Sequence, residues 1–315
     1  MLRELRTSLA PLVWGTSYLT TTELLPPGRP LFAATVRALP AGLLLLALPG
    51  RGGPRPLPHG SWWWRAAVLG ALNIGAFFAL LFVTAERLPG GVAAVLTASQ
   101  ALLVVVLSGP VLGQRVGTRQ AVAAVVGVAG IALVVVTPTA RLDTAGVLAG
   151  LGAAVATASG IVLTRRWGRP VDLLTFTGWQ LVAGGAVLLP LLLAVEGLPG
   201  PLPVRSWLGL AWLAIPGSAV AYALWFDGIA HLRAVAVSSL ALLAPVTAAA
   251  LGWLVLGQRL GPVQLAGAVL TLGAVLALQG GGDRRLVVSP PCPPPPSGRP
   301  ASASSGAARA TPARC

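Results

Sequence analysis

Apolar runs of roughly 17 to 25 residues, long enough to cross a bilayer as helices, recur along this chain to about residue 279. Short segments rich in Arg, Pro and Gly separate them, and the runs lack the alternation that the strands of a membrane β-barrel need. The pattern predicts ten spanning helices, at 8–26, 31–48, 63–84, 89–112, 119–137, 144–164, 173–195, 206–226, 234–256 and 262–279. The polar stretch "WFDGIAHLRA", Trp225 to Ala234, divides the eighth from the ninth. The first run is read as a span and not a cleaved leader, because "SYLTTTELLPP" offers no small-x-small cleavage site. Residues 280–315, dense in Pro, Ser and Gly, have little to bury and are expected to be disordered.

Composition agrees with lipid as the solvent: 55% of the 315 residues are hydrophobic, 10% are charged, and the mean hydropathy is +0.81. A net charge of +14 on a soluble protein would point to nucleic acid. Here the arginines fall in the breaks and the tail instead. If both ends of the chain face the cytoplasm, the inner segments carry sixteen of them, five in the tail, and the outer segments carry five. That bias predicts a multi-pass protein of the cell (inner) membrane with both termini cytoplasmic, bound to lipid and not to nucleic acid. Only Arg37 remains, inside a predicted span.

The chain also repeats itself. "VLGQR" occurs at Val111–Arg115 and at Val255–Arg259, an offset of 144 residues. At that offset Ala79-Leu80-x-Phe82 matches Ala223-Leu224-x-Phe226, and Leu88, Gly117 and Gln120 match Leu232, Gly261 and Gln264. The fold expected is an all-α membrane protein of about ten transmembrane helices in two five-helix repeats, at 1–140 and 141–279, followed by the tail at 280–315. An odd number of helices per repeat makes the second enter the membrane from the opposite side, so the repeats are inverted, the arrangement that lets a carrier rock between two states.

"LVWGTSYL" near the start, Arg37 in "ATVRALPAG", the repeated glycine signature and "GWQLVAGG" resemble the EamA group of the drug/metabolite transporter superfamily. The resemblance covers roughly residues 8–279. It implies a ten-helix carrier of small metabolites, commonly an exporter of amino acids or related compounds. Two features depart from the group. Gln114 and Gln258 stand where members often carry Glu, and the fourth helix lacks a proline near Gln100, whereas the second repeat keeps its counterpart, Pro245.

Among polar residues within spans, Arg37 is the leading substrate-binding candidate, since an arginine at the bilayer centre costs on the order of 3 kcal/mol and needs a reason. It lies only ~9 Å past its helix start, so snorkelling to the surface is the competing reading. Glu23, across the "LLPPGRP" connection, is the expected partner and the only carboxylate inside the predicted spans, hence the candidate for coupling or gating with Gln114 and Gln258. Gln180 occupies nearly the place equivalent to Arg37. Asn73, Gln100 and Tyr222 offer further polar groups, and Trp14 and Trp179 offer aromatic walls; bonding between helices is the plainer use of each polar group. Trp62, Trp63 and Trp64 read as an interfacial belt. Gly146, Gly150, Gly152, Ala156 and Gly160 leave a face that a neighbouring helix can approach closely, within the chain or in a homodimer.

No enzyme signature occurs: there is no GxGxxG after a strand, no GxxxxGK[ST], no HExxH and no GxSxG. Both cysteines, Cys292 and Cys315, lie in the tail, and no metal or cofactor is expected. The sequence thus points to a secondary transporter that moves a small metabolite by alternating access. A multidrug exporter, or a scaffold or sensor acting through the tail, is the alternative.

Overall fold

The computed structural model describes residues 2–50, 53–113, 117–135, 143–231, 240, 243–258 and 261–279. Helices dominate, and no strand is present among the described residues. The first elements are α1 (Leu2–Leu24) and α2 (Pro30–Ala47), then α3 (Trp62–Gly70), which passes through a π turn (Ala71–Ala76) into α4 (Phe77–Arg87). Next come α5 (Gly90–Ala98), α6 (Gln100–Leu112), α7 (Thr118–Val135), α8 (Thr144–Trp167) and α9 (Leu173–Val195). The last are α10 (Val204–Ala214), a second π turn (Ile215–Val220), α11 (Ala221–His231), α12 (Leu243–Leu256) and α13 (Pro262–Gln279). Six helical stretches are long and apolar enough to cross a membrane: Pro30–Ala47, Trp62–Arg87, Gly90–Leu112, Thr144–Trp167, Leu173–Val195 and Val204–Trp225.

Local chemistry sets the helix ends. Asp143 caps α8 by accepting from Gly146 N at 2.8 Å, and Asp172 caps α9 by accepting from Leu174 N and Thr175 N at 3.1 and 3.2 Å. Helix α2 borrows its cap from far away, for Glu196 accepts from Leu31 N at 2.7 Å and Phe32 N at 2.9 Å. The repeated glycine signature is a helix stop: Gly113 and Gly257 adopt φ of 66° and 64°, a left-handed conformation that glycine enters without steric cost. The fourth predicted span bends at Ser99, between α5 and α6, although no proline is there.

Two predicted boundaries move by about five or six residues. Helix α1 begins at Leu2, six residues before the apolar run, because its first turns are exposed and tolerate Arg3, Glu4 and Arg6. Helix α11 continues through Asp227 to His231, so the polar stretch first extends a helix before any break.

Helix α2 packs along α9, and α7 along α13. The contact of α4 with α8 has a counterpart in that of α11 with α1, and α6 on α8 corresponds to α12 on α1. The glycines of α8 are used within the chain: a Cβ at Gly146 would meet Arg87 and Leu88, one at Gly150 would meet Leu96 and Thr84, and one at Gly160 would strike the Asn73 side-chain oxygen. The largest core cluster joins Phe32, Ala34 and Ala38 of α2 with Phe78 and Phe82 of α4, Leu181 and Leu188 of α9, and Leu210 and Leu213 of α10. Leu43, Leu148, Val155, Leu191 and Leu208 point outward and exposed, a surface suited to acyl chains and not to water.

Candidate functional site

The two π turns lie at the same offset as the sequence repeat, since Ala71 and Ala76 map onto Ile215 and Val220 after 144 residues. A π turn holds one residue more than an α turn, so a carbonyl drops out of the i to i+4 ladder and can accept from a side chain. In the second turn Ala221 N–H bonds to Pro216 O and Ser218 O, passing over Gly217. In the first, Phe77 N–H goes to Ile74 O and passes over Asn73, the residue equivalent to Gly217.

Arg37 occupies the second of these openings. It is 3% exposed, so it does not snorkel. Its Nε donates to Ser218 Oγ at 3.2 Å, Nη1 to Ser17 Oγ at 3.4 Å and Nη2 to Gly217 O at 3.4 Å, while Trp14 Nε1 donates to the same Gly217 carbonyl at 3.0 Å. Its guanidinium sits 4.4 Å over the Phe78 ring and 6.0 Å from that of Phe82. These partners are neutral, and among the described residues no carboxylate forms an ion pair with Arg37. The expected pair with Glu23 is therefore a correction: Glu23 is exposed near the end of α1, while Arg37 turns inward to hydroxyls, a carbonyl and an aromatic face.

The other repeat places an amide where the first has a cation. Asn73 Nδ2 donates to Gln180 Oε1 at 2.7 Å, joining the first π turn to α9 as Arg37 joins α2 to the second. Asn73 Oδ1 is buried without a hydrogen-bond partner, as is Gln100 Oε1 at the start of α6. Trp14 packs against Tyr222, tilted, at 5.5 Å and edge to face with Trp225 at 5.3 Å, so the aromatic wall beside Arg37 comes from α1 and α11. Trp179 lies apart from that wall. It is buried against Phe176, and its Nε1 donates to Pro56 O at 2.9 Å, which makes it a packing residue at the Arg55 end of the bundle.

Gln258 also has a defined task. Its Oε1 accepts from Gly90 N at 3.0 Å, satisfying the first turn of α5 from just past the end of α12. A small cleft there is lined by Tyr18, Thr22, Gly90, Gly252 and Gln258. Gln114, its counterpart, lies outside the described residues.

The family model described as the EamA-like transporter family matches this chain twice, at residues 5–136 and 144–279. The chain belongs to that family. Protein PecM of Dickeya dadantii is 47% identical over 272 residues, covering 86% of this chain and 90% of that protein. A WAT1-related chloroplastic protein of Arabidopsis thaliana is 32% identical, covering 83% and 66% respectively. An inner membrane transporter of Escherichia coli, YedA, is 28% identical over 85% of this chain and 88% of its own. A solved crystal structure shares the fold, with a TM-score of 0.61 at 21% identity over 87% of this chain and 95% of its own. As an EamA-like protein the chain is a membrane transporter, from a family of transporters and not of enzymes.

Ion pairs tie the loops of this transporter together at each end. Arg87 meets Asp143 at 3.2 Å, and Arg55 meets Asp172 at 2.8 Å and Thr175 Oγ1 at 2.9 Å. Partial burial, the strongest single influence on Asp172, pushes its carboxyl upward, but bonds from Thr175 and Arg55 outweigh it and hold the group below the usual carboxylate range. A carboxyl depressed by folding stabilises the folded state fully above its unfolded value of about 3.9, and that contribution disappears as pH falls through the lower folded value. We expect thermal midpoints in detergent to fall below about pH 4 and Asp172→Asn to lower the midpoint slightly at neutral pH while reducing that fall. Equal acid slopes in the two proteins would show that this pair contributes nothing.

Proposed function

We propose that this EamA-like transporter is a secondary carrier of ten spans in two inverted repeats, and that it moves a small metabolite with an anionic group by alternating access. The observation that carries the reading is the pair of π turns at one offset, each held by a polar side chain from the second helix of a repeat: Arg37 on Ser218 and Gly217, Gln180 on Asn73. Two family matches of five-helix length and the mirrored helix contacts support the duplication. Both termini then face the cytoplasm, as the arginine bias favours.

In this reading a buried guanidinium bonded only to neutral groups is a site prepared for an anion, since a carboxylate would replace long, weak contacts with a charge-assisted pair. The substrate's anionic group exchanges with the Ser17, Ser218 and Gly217 contacts. Releasing or forming the Arg37 contacts biases the second π turn, the point at which α10 and α11 can change their relative tilt. Export of amino acids or related compounds fits this chemistry. A cationic drug fits it poorly, because the charge buried at the site is the protein's own cation.

Counterflow in proteoliposomes tests the function. Vesicles preloaded with a mixture of amino acids and other small carboxylates are expected to take up a labelled member of that mixture saturably, above protein-free vesicles. Uptake confined to uncharged or cationic species, with carboxylates inert, would refute the anion reading.

A further inference from the structure

A second arginine is set in an aromatic enclosure, far along the bundle from Arg37. Arg65, in the first turns of α3, has its guanidinium carbon 5.3 Å from the Trp62 ring centre, 5.5 Å from that of Trp64 and 5.8 Å from that of Trp167 at the end of α8. Trp64 and Trp167 pack edge to face at 5.1 Å, which locks the start of α3 to the end of α8. The Arg65 Nε is buried without a hydrogen-bond partner. Arg165, Arg166 and Arg169 follow one another at the end of α8 and are exposed.

Among the described residues no acid neutralises this group. Asp172, the nearest carboxylate along the chain, is engaged by Arg55, and among the described residues none of the four arginines forms an ion pair. Beside them Trp63 and Trp64 are 59% and 52% exposed. Indole rings that face outward beside a row of cations are the composition of the boundary between acyl chains and headgroups.

We propose that the start of α3 and the end of α8 form a binding site for the phosphodiester of an anionic phospholipid. Arg65, oriented by three tryptophans, is the central cation. Arg165 and Arg166 flank it, and Trp63 and Trp64 seat the glycerol and upper acyl chains. The rings hold the planar guanidinium in one orientation, so little side-chain freedom remains to be lost when phosphate binds, and a guanidinium matches two phosphate oxygens at once. A zwitterionic lipid offers the same phosphate with a cation attached, which the arginine cluster disfavours. The site is independent of the transported substrate; with both termini in the cytoplasm, as proposed above, it lies in the cytoplasmic leaflet.

The test is native mass spectrometry of the full chain in detergent, with phosphatidylglycerol and phosphatidylcholine of identical acyl chains, and with inorganic phosphate as competitor. Phosphatidylglycerol is expected to be retained at least fivefold more tightly, and Arg65→Gln to remove about fivefold of its affinity. The exposed double variant Arg165→Gln/Arg166→Gln should weaken retention at least as much without touching the tryptophan packing, and Arg205→Gln, an exposed arginine outside the cluster, should leave it unchanged. Equal retention of the two lipids, or equal losses in Arg205→Gln and the cluster variants, would overturn the proposal. Displacement of the lipid by millimolar inorganic phosphate would assign the cluster to a soluble anion and overturn the lipid assignment.

Discussion

Arg37→Gln is expected to lower counterflow about 10- to 100-fold, the worth of one charge-assisted contact to a bound anion, while leaving the thermal midpoint unchanged or higher. The two readouts move apart because Arg37 is a buried cation that pairs with no acid among the described residues. Its removal costs the fold three long bonds and an aromatic contact, and relieves the burial of a charge. Of the groups it leaves, Gly217 O still accepts from Trp14 Nε1 and Ser218 Oγ still donates to Leu213 O, so only the Ser17 hydroxyl gives up its contact outright. Arg37→Lys keeps the charge but loses the planar fork, and should transport at an intermediate rate. A large fall in the midpoint of Arg37→Gln, in proportion to its loss of counterflow, would make Arg37 a structural brace and remove it from the substrate site. Wild-type counterflow in a folded, inserted Arg37→Gln would sink the anion reading altogether.

Gly184→Val should destabilise the fold strongly. A Cβ at Gly184 would lie 2.6 Å from Ile74 Cβ and 2.7 Å from Gly70 O, and one at Gly70 would lie 2.7 Å from both Ala183 Cβ and Gln180 O. Helix α9 therefore crosses the first π turn with backbone nearly against backbone, and neither partner has a flexible side chain that can move aside. Overpacking of this kind costs about 3 kcal/mol, a midpoint lower by on the order of 5–10 °C. Gly273→Ala is the control. A Cβ there has nothing within 4 Å, so the change should be neutral or stabilise the helix by up to about 1 kcal/mol. Midpoints for Gly184→Val within 2 °C of wild type would mean that the crossing is loose, and the first π turn would then lose its rigid support. Because Gln180 is carried on the same stretch of α9, the valine should also disturb the Asn73 bond and lower counterflow in whatever protein still folds.

The resemblance to the EamA group, the helical class and most helix positions were legible because a bilayer imposes them residue by residue. Each run such as Leu173–Val195 must be long and apolar enough by itself, whatever it packs against. "VLGQR" announced the repeat for a local reason too, since the glycine is needed where the helix ends in a left-handed residue. Arg37 stood out as a charge in an apolar run. Its partner did not, because Glu23 is close along the chain while Ser218 and Gly217 are 181 and 180 residues away. Trp179 looked like a ligand wall by type, and its position among Phe176 and Pro56 depends on how the start of α9 meets a loop.

By itself the sequence determined membrane residence, the helical class of the described residues, the recurrence of "VLGQR" and the stops at Gly113 and Gly257, since these follow from length, hydropathy and local backbone freedom. Only the tertiary structure decided that two π turns fall 144 residues apart and that Arg37 and Gln180 reach them. The second turn contains Pro216 and the first has no proline, so no common residue marks them. The helix there widens against its neighbours, and the carbonyl that it releases gains meaning only from the side chain that another helix brings to it.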